Sequence, residues 1–110
     1  MNVLYAMYMV IGVLFIALGI PLAARRVPPN GLYGYRVPAT VNDPKVWYPV
    51  NETCGRWMVA TGLATIAATW GFERAGLMKD AYALSVTGVM LLGVALMAIF
   101  STITLYSVRK

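Results

Sequence analysis

The sequence predicts an all-α membrane protein in which three transmembrane helices form a single domain, residues 1–110. Three observations predict it: 60% of the residues are hydrophobic, the mean hydropathy is +0.70, and most charged residues lie at the ends of long apolar stretches. Such a hydrophobic fraction exceeds that of ordinary soluble domains. The net charge of +5 therefore fits anionic lipid headgroups better than nucleic acid, and we expect no nucleic-acid partner.

The first predicted span, residues 3–24, contains no charged residue. As a helix it is roughly 33 Å long, which is enough to cross a hydrocarbon core of about 30 Å. Pro21, near its end, should kink the helix or end it early. We interpret the segment as a retained helix instead of a signal peptide, because no basic region precedes it and Arg25 and Arg26 follow it in place of a cleavage site.

The second and third predicted spans cover residues 51–72 and 81–106. So few residues separate them that the chain cannot recross a membrane there, which predicts an antiparallel helical hairpin. Residues 25–50, between the first two spans, contain five prolines. This segment should form a long, ordered but irregular loop instead of a continuous helix.

The distribution of Lys and Arg predicts the orientation of these spans. The long loop and the C-terminus carry most of them, and the hairpin turn carries two. By the positive-inside rule, the N-terminus lies outside and both the loop and the C-terminus lie in the cytoplasm. The basic residues counted are Arg25, Arg26, Arg36, Lys45, Arg109 and Lys110 on one side, and Arg74 and Lys79 on the other.

Small residues recur on two neighbouring faces of the second span. Gly55 and Gly62 are seven residues apart, and Ala60, Ala64 and Ala68 recur every fourth residue. In lipid, close approach at small residues is a main source of helix association. These faces pack either within the chain or against another copy, so a homo-oligomer is one possible assembly.

Nine candidate site residues cluster in the loop and at the start of the second span. Glu52 and Arg56 are four residues apart in the order that favours a helical ion pair, and Glu52 would lie near the positive end of the helix dipole. Alternatively, Arg56 marks a ligand or ion site, because an ionisable group inside an apolar span is costly, unless it extends towards the interface. The nine residues are Gly34, Arg36, Pro38, Thr40, Trp47, Asn51, Glu52, Gly55 and Arg56.

Asn51 should cap the second span, or reach back to hold the loop. Arg36 could clamp a carboxylate such as Glu52 or Asp43, or bind a lipid phosphate. Asp43 and the proline after it predict a turn. The aromatic residues of this region are expected at the headgroup level; they are Tyr33, Tyr35, Trp47 and Tyr48.

The sequence offers no recognisable catalytic or metal-ligand set. It has no His, and its single Cys, Cys54, is expected to be a buried, inert thiol. We therefore expect no catalytic residues, no metal site, no cofactor and no enzymatic activity.

The run Gly34-Tyr35-Arg36-Val37-Pro38-Ala39-Thr40, followed by Trp47, Asn51 and Gly55, resembles the signature of the SdpI-type bacterial membrane proteins. In that family the pattern leads from a cytoplasmic loop into the next span; Val37 stands where we expect Thr. The resemblance implies a multi-pass protein of the bacterial inner membrane, related to immunity proteins that protect a producing bacterium from its own secreted toxic peptide. In the founding system such a protein also recruits a repressor. The resemblance points to five motif positions: Arg36, Thr40, Trp47, Asn51 and Gly55.

The leading functional hypothesis is a binding module that recognises a peptide, lipid or protein partner at the cytoplasmic interface. The peptide would be a toxin and the protein a regulator. The alternative is a transporter or channel assembled from several copies, with a polar path near Glu52 and Arg56.

Overall fold

The computed structural model describes residues 3–30 and 34–109, the last of these by its backbone only. The described residues form four α-helices and no strand: α1 is Val3–Ala23, α2 is Pro38–Val41, α3 is Pro44–Arg74 and α4 is Lys79–Arg109. The prediction of an all-α fold with a helical hairpin at its C-terminal end is confirmed.

Helix α3 lies between α1 and α4 and runs antiparallel to both. The start of α3 meets the end of α1, where Gly55 packs on Gly19, and also the end of α4, where the hydroxyl groups of Thr53 and Thr104 are 3.1 Å apart. At the opposite end, the Tyr82 hydroxyl of α4 donates to the Thr69 carbonyl of α3 at 3.3 Å. The result is an elongated bundle, 49 × 21 × 18 Å, in which α1 and α4 point in the same direction.

By length and composition, two of the described helices are candidate membrane spans, Val3–Ala23 and Lys79–Val108, instead of the three predicted. The exception is α3, which contains the predicted span 51–72. Its hydropathy is lowered by Arg56 and by three threonines that recur every fourth residue, Thr61, Thr65 and Thr69. The predicted span was identified from its small number of charges, and this criterion overlooked the cost of its uncharged polar residues.

These threonines are buried inside the bundle. The hydroxyl of Thr65 donates to the Thr61 carbonyl at 2.8 Å, and that of Thr69 donates to the Thr65 carbonyl at 2.6 Å. Such bonds to the preceding turn are the usual way in which a helical Thr satisfies its hydroxyl group without a partner from another helix. The polar stripe of α3 therefore faces its neighbours in the bundle.

Helix α3 begins at Pro44, seven residues before the predicted start of the second span. Asp43 is its N-cap and accepts a 3.0 Å hydrogen bond from the backbone N–H of Lys45. Proline is well tolerated in the first helical turn, where a missing N–H leaves no bond unmade. The prediction of a loop up to residue 50 was therefore wrong for residues 44–50, and Pro49 lies inside the helix.

Helix α1 ends at Ala23, two residues after Pro21. The chain leaves the helix through Arg25, whose φ of 60° is in the left-handed region, and the N–H of Arg26 bonds back to the Pro21 carbonyl at 2.9 Å. This pattern is a Schellman ending, in which glycine normally occupies the left-handed position. A side chain there costs on the order of 1–2 kcal/mol, so the position of Arg25 must be stabilised by its surroundings.

Two glycine pairs bring α1 and α3 into backbone contact. A Cβ atom built on Gly62 would lie 2.5 Å from the Gly12 carbonyl oxygen, and one on Gly55 would lie 2.6 Å from the Gly19 carbonyl oxygen. Only glycine permits such an approach, which is a typical way for helices to associate in lipid. Gly55 and Gly62 therefore pack within the chain.

The alanine row of α3 is used differently. Ala60 and Ala64 lie on the surface of the chain. Their use by a second copy stays a prediction.

Replacing Gly62 with Ala should lower the thermal stability of the protein in detergent. The new methyl group would collide with the Gly12 carbonyl and, at 2.8 Å, with Ile16, and overpacking of this kind costs about 1–3 kcal/mol. The melting temperature, followed by circular dichroism, tests this. The matched control is Gly71→Ala, since a Cβ atom there has no neighbour within 4 Å. If both variants have the same melting temperature, close glycine packing does not determine the α1–α3 spacing.

Candidate functional site

The loop between α1 and α3 folds over one end of the bundle, which we call the loop end. It comprises residues 25–30 and 34–43, the first turns of α3 and the last turn of α4. A small core of Val46, Val50 and Leu105 lies beneath it, covered by Tyr35 and Val37. The loop is therefore an ordered layer on the bundle.

Asn51 attaches the loop to α3. Its side chain is 2% exposed; the Oδ1 atom accepts the backbone N–H of Tyr35 at 2.6 Å, and the Nδ2 atom donates to the Trp47 carbonyl at 3.1 Å. Because Asn51 lies about two turns inside α3, its predicted role as a helix cap was wrong. The alternative role, in which it holds the loop, is the one observed.

Gly34 makes this attachment possible. Its φ of 110° is in the region that side chains rarely adopt, and a Cβ atom would lie 2.6 Å from Oδ1 of Asn51. Any larger residue would both strain the backbone and displace the amide oxygen. Gly34 therefore allows Asn51 to reach the N–H group of the next residue.

Trp47 fixes the start of the loop. Its indole N–H donates to the Val27 carbonyl at 2.7 Å, and its side chain is completely buried. The expectation that Trp47 rests at the headgroup level was wrong, because its ring fills the space under the loop. Tyr35 is half-buried, with its hydroxyl group 2.8 Å from that of Thr102, while Tyr33 lies outside the described residues.

Thr40 and Pro38 shape the short helix α2. The Thr40 hydroxyl accepts the N–H of Val37 at 3.0 Å and can donate to the carbonyls of Tyr35 or Val37, both at 2.9 Å. Pro38 occupies the start of the helix, where its fixed φ is already suitable. Six of the nine predicted residues thus position the backbone: Gly34, Pro38, Thr40, Trp47, Asn51 and Gly55.

Glu52 binds two arginines on the outside of the bundle. Arg56 donates through Nη2 to Oε2 at 2.7 Å, which confirms the predicted ion pair. Arg25 donates through Nε and Nη2 to Oε1 at 2.8 and 2.7 Å. The predicted contribution of the helix dipole to Glu52 was wrong, since α3 starts earlier, and Arg25 is the additional partner.

Arg25 was missed as a site residue because it is 27 residues from Glu52 in the chain. The sequence did contain one signal. Arg25 is the first charged residue after the first apolar span, and that span packs against the second one. Arg36 is exposed at the loop end. One of the carboxylates that Arg36 could have clamped, Glu52, is bound by Arg25 and Arg56.

An open groove of about 430 Å³ lies beside α2. Its rim carries charges of both signs, from Asp43 and Lys45. The other residues that line it come from α2, the start of α3 and the end of α4: Pro38, Ala39, Asn42, Val46 and Val108. Sequence reasoning identified only Pro38 as a site residue here, since the groove exists only where three elements meet.

Charge is distributed unevenly between the two ends of the bundle. In the described side chains, the loop end carries five basic and two acidic groups, whereas the opposite end carries two of each. The loop-end charges are Arg25, Arg26, Arg36, Asp43, Lys45, Glu52 and Arg56, and those at the opposite end are Glu73, Arg74, Lys79 and Asp80. The groove thus lies at the end of the bundle that carries the excess of basic groups.

Comparison with known proteins identifies one family. The model of the SdpI/YfhL protein family matches residues 26–107, which include the loop, α3 and nearly all of α4. No curated protein and no solved structure matches the chain.

Replacing Asn51 with Leu should loosen the loop while leaving the helices in place. The substitution leaves the Tyr35 N–H without its acceptor, which costs about 1–3 kcal/mol when the group is buried. Trypsin cleavage after Arg36, followed by mass spectrometry, should then become about tenfold faster. Thr53→Val is the control, because Thr53 lies on the same helix as Asn51 and the substitution removes a hydrogen bond to Thr104 of α4 without touching the loop. Equal cleavage rates for the two variants would contradict the role of Asn51.

Proposed function

This chain belongs to the SdpI/YfhL protein family, and we propose that it is a small protein of the bacterial inner membrane that binds a peptide or protein partner at its loop end. Membership of the family suggests an immunity-type role, in which the partner is a secreted toxic peptide or a regulatory protein. One observation carries the proposal: the loop is fixed to α3 by Asn51 and Trp47 and presents a groove at the end of the bundle that carries the excess of basic groups.

We propose three membrane crossings, although only two helices qualify by composition. α1 and α4 are parallel to each other and both pack against α3, so if both cross in the same direction, α3 must return between them. The polar stripe of α3 supports this arrangement, because Thr65 and Thr69 are buried and bonded to their own helix. Lipid would then meet mainly the apolar surfaces of α1 and α4.

The charge distribution supports an orientation with the loop end in the cytoplasm. The excess of basic groups there matches the positive-inside rule, while the opposite end has equal numbers of basic and acidic groups. In this orientation the N-terminus lies outside and the C-terminus lies in the cytoplasm.

The fixed loop supports binding because a preorganised surface loses little conformational entropy when a partner docks. The groove is open, with a volume of about 430 Å³, and Lys45 lies at its rim. Arg36 is exposed on the same loop. Acidic or amide groups of a partner would find charge-assisted hydrogen bonds there.

Cysteine labelling tests the topology. In a Cys54→Ser background, Asn42→Cys reports on the loop end, and Met78→Cys, at a residue 81% exposed, reports on the hairpin turn. A maleimide that cannot cross membranes should label Met78→Cys in intact spheroplasts, and Asn42→Cys only after permeabilisation. Labelling of both from the same side would overturn the third crossing.

Partner capture tests the binding surface. A photo-crosslinking residue at position 39, which lines the groove, should capture a partner of defined mass in cells of the native bacterium. Arg36→Ala should reduce this capture about tenfold, the effect of losing one charge-assisted hydrogen bond.

The matched control for capture is Arg74→Ala, an exposed arginine at the opposite end that stacks over Trp70 at 5.5 Å. Membrane insertion of each variant is checked by fractionation. Capture that is equal in both variants, or absent from the unsubstituted chain, would remove the loop end as the binding surface.

A further inference from the structure

We infer that Arg25, Glu52 and Arg56 form a binding site for a phosphate group, and that the phosphate belongs to the headgroup of an anionic phospholipid. The inference rests on the membrane location in the proposed function. It adds a ligand class and a second site, on the outer surface of α1 and α3, distinct from the groove beside α2.

The first argument is charge. Two guanidinium groups share one carboxylate, so the cluster keeps one net positive charge. The Glu52 side chain is 21% exposed, while those of Arg25 and Arg56 are 53% and 72% exposed. The acid thus lies beneath the two bases, and the positive groups are presented outward.

The second argument is geometry. Glu52 accepts from Nε and Nη2 of Arg25 and from Nη2 of Arg56. Two guanidinium groups carry more N–H donors than one carboxylate can accept. By holding one arginine on each of its oxygens, Glu52 keeps two planar donor groups side by side, and this arrangement suits the several acceptor oxygens of a phosphate.

The third argument is backbone strain. Arg25 occupies the left-handed position that ends α1, where glycine would be favoured. Strain of this kind persists where surrounding contacts maintain it, and it is concentrated at ligand sites. Here it accompanies a guanidinium group that reaches across to Glu52.

The fourth argument distinguishes a lipid from a free phosphate. On the same two helices, towards the middle of the bundle, large apolar side chains are exposed: Leu18 at 43%, seven residues before Arg25, and Leu63 at 56%, seven residues after Arg56 and therefore on the same face of α3. A phospholipid whose headgroup binds the cluster would lay its acyl chains along this surface. A soluble phosphate would gain nothing from it.

The experiment measures lipid retention by native mass spectrometry on the purified full-length chain in detergent. The probes are phosphatidylglycerol, phosphatidylcholine and water-soluble glycerol phosphate. We expect phosphatidylglycerol to be retained at least about tenfold better than phosphatidylcholine, and Arg56→Gln to lose about tenfold of that retention. Lys45→Gln, which removes the same charge at the same end, should retain the lipid as the unsubstituted chain does.

Glu52→Gln separates a built site from general electrostatic attraction. It raises the net charge of the cluster by one, so general attraction predicts stronger retention. A site in which Glu52 positions both arginines predicts weaker retention. If Glu52→Gln lowers the melting temperature of the protein, Arg56→Gln still tests the site, because the Arg56 side chain is largely exposed and its loss should not disturb the fold.

Stronger retention by Glu52→Gln, or equal losses in Arg56→Gln and Lys45→Gln, would overturn the site. So would a chain that retains neither lipid nor glycerol phosphate. Displacement of the lipid by equimolar glycerol phosphate would support the phosphate site but assign it to a soluble ligand. None of these readouts depends on the groove or on orientation, so this inference and the proposed partner binding fail separately.

Discussion

The close contact of α1 and α3 at two glycine pairs is the constraint on which the rest of the structure depends. Because Gly19 and Gly55 bring the two backbones together, the last turn of α1 has a fixed position along the axis of α3. This position places Arg25 within reach of Glu52 and brings the Val27 carbonyl to the indole of Trp47. The loop therefore starts from a fixed point, and Asn51 holds it again at Tyr35.

The same packing explains why the central helix is the least apolar of the three long ones. A helix covered on two sides by neighbours can carry polar residues on its inner faces, at the lowest cost where a hydroxyl group finds an acceptor. The buried Thr61 hydroxyl, which lies against Gly93 of α4, finds none among the described residues. Thr65 and Thr69 find theirs in the preceding turns. Because those bonds lie within α3, the Thr65 and Thr69 hydroxyl groups add little to helix association, and the glycine contacts must supply more of it.

The sequence was sufficient to predict the helices whose ends are marked by charged residues. α1 and α4 were predicted to within three residues at each end, since Arg25, Lys79 and Arg109 mark the boundaries of uncharged runs. The start of α3 was missed because Pro44 and Pro49 suggested a loop, although a proline in the first turn follows naturally from the Asp43 cap. The same error assigned a capping role to Asn51. Local spacing identified the pair of Glu52 and Arg56, but a partner such as Arg25, which comes from a neighbouring helix, depends on how the helices pack.

Most residues of the family pattern differ from the residues that a partner can touch. Thr40, Trp47 and Asn51 are buried, and Gly34 and Gly55 are required by close backbone contacts. A sequence match on such positions carries information about how the loop is held on the bundle. Among the exposed groups that would recognise a ligand, Arg36 belongs to the pattern, whereas Arg25 and Lys45 lie outside it. Membership of the family therefore transfers the architecture of the loop end more directly than it transfers the identity of the ligand, because most of the pattern holds the loop on the bundle.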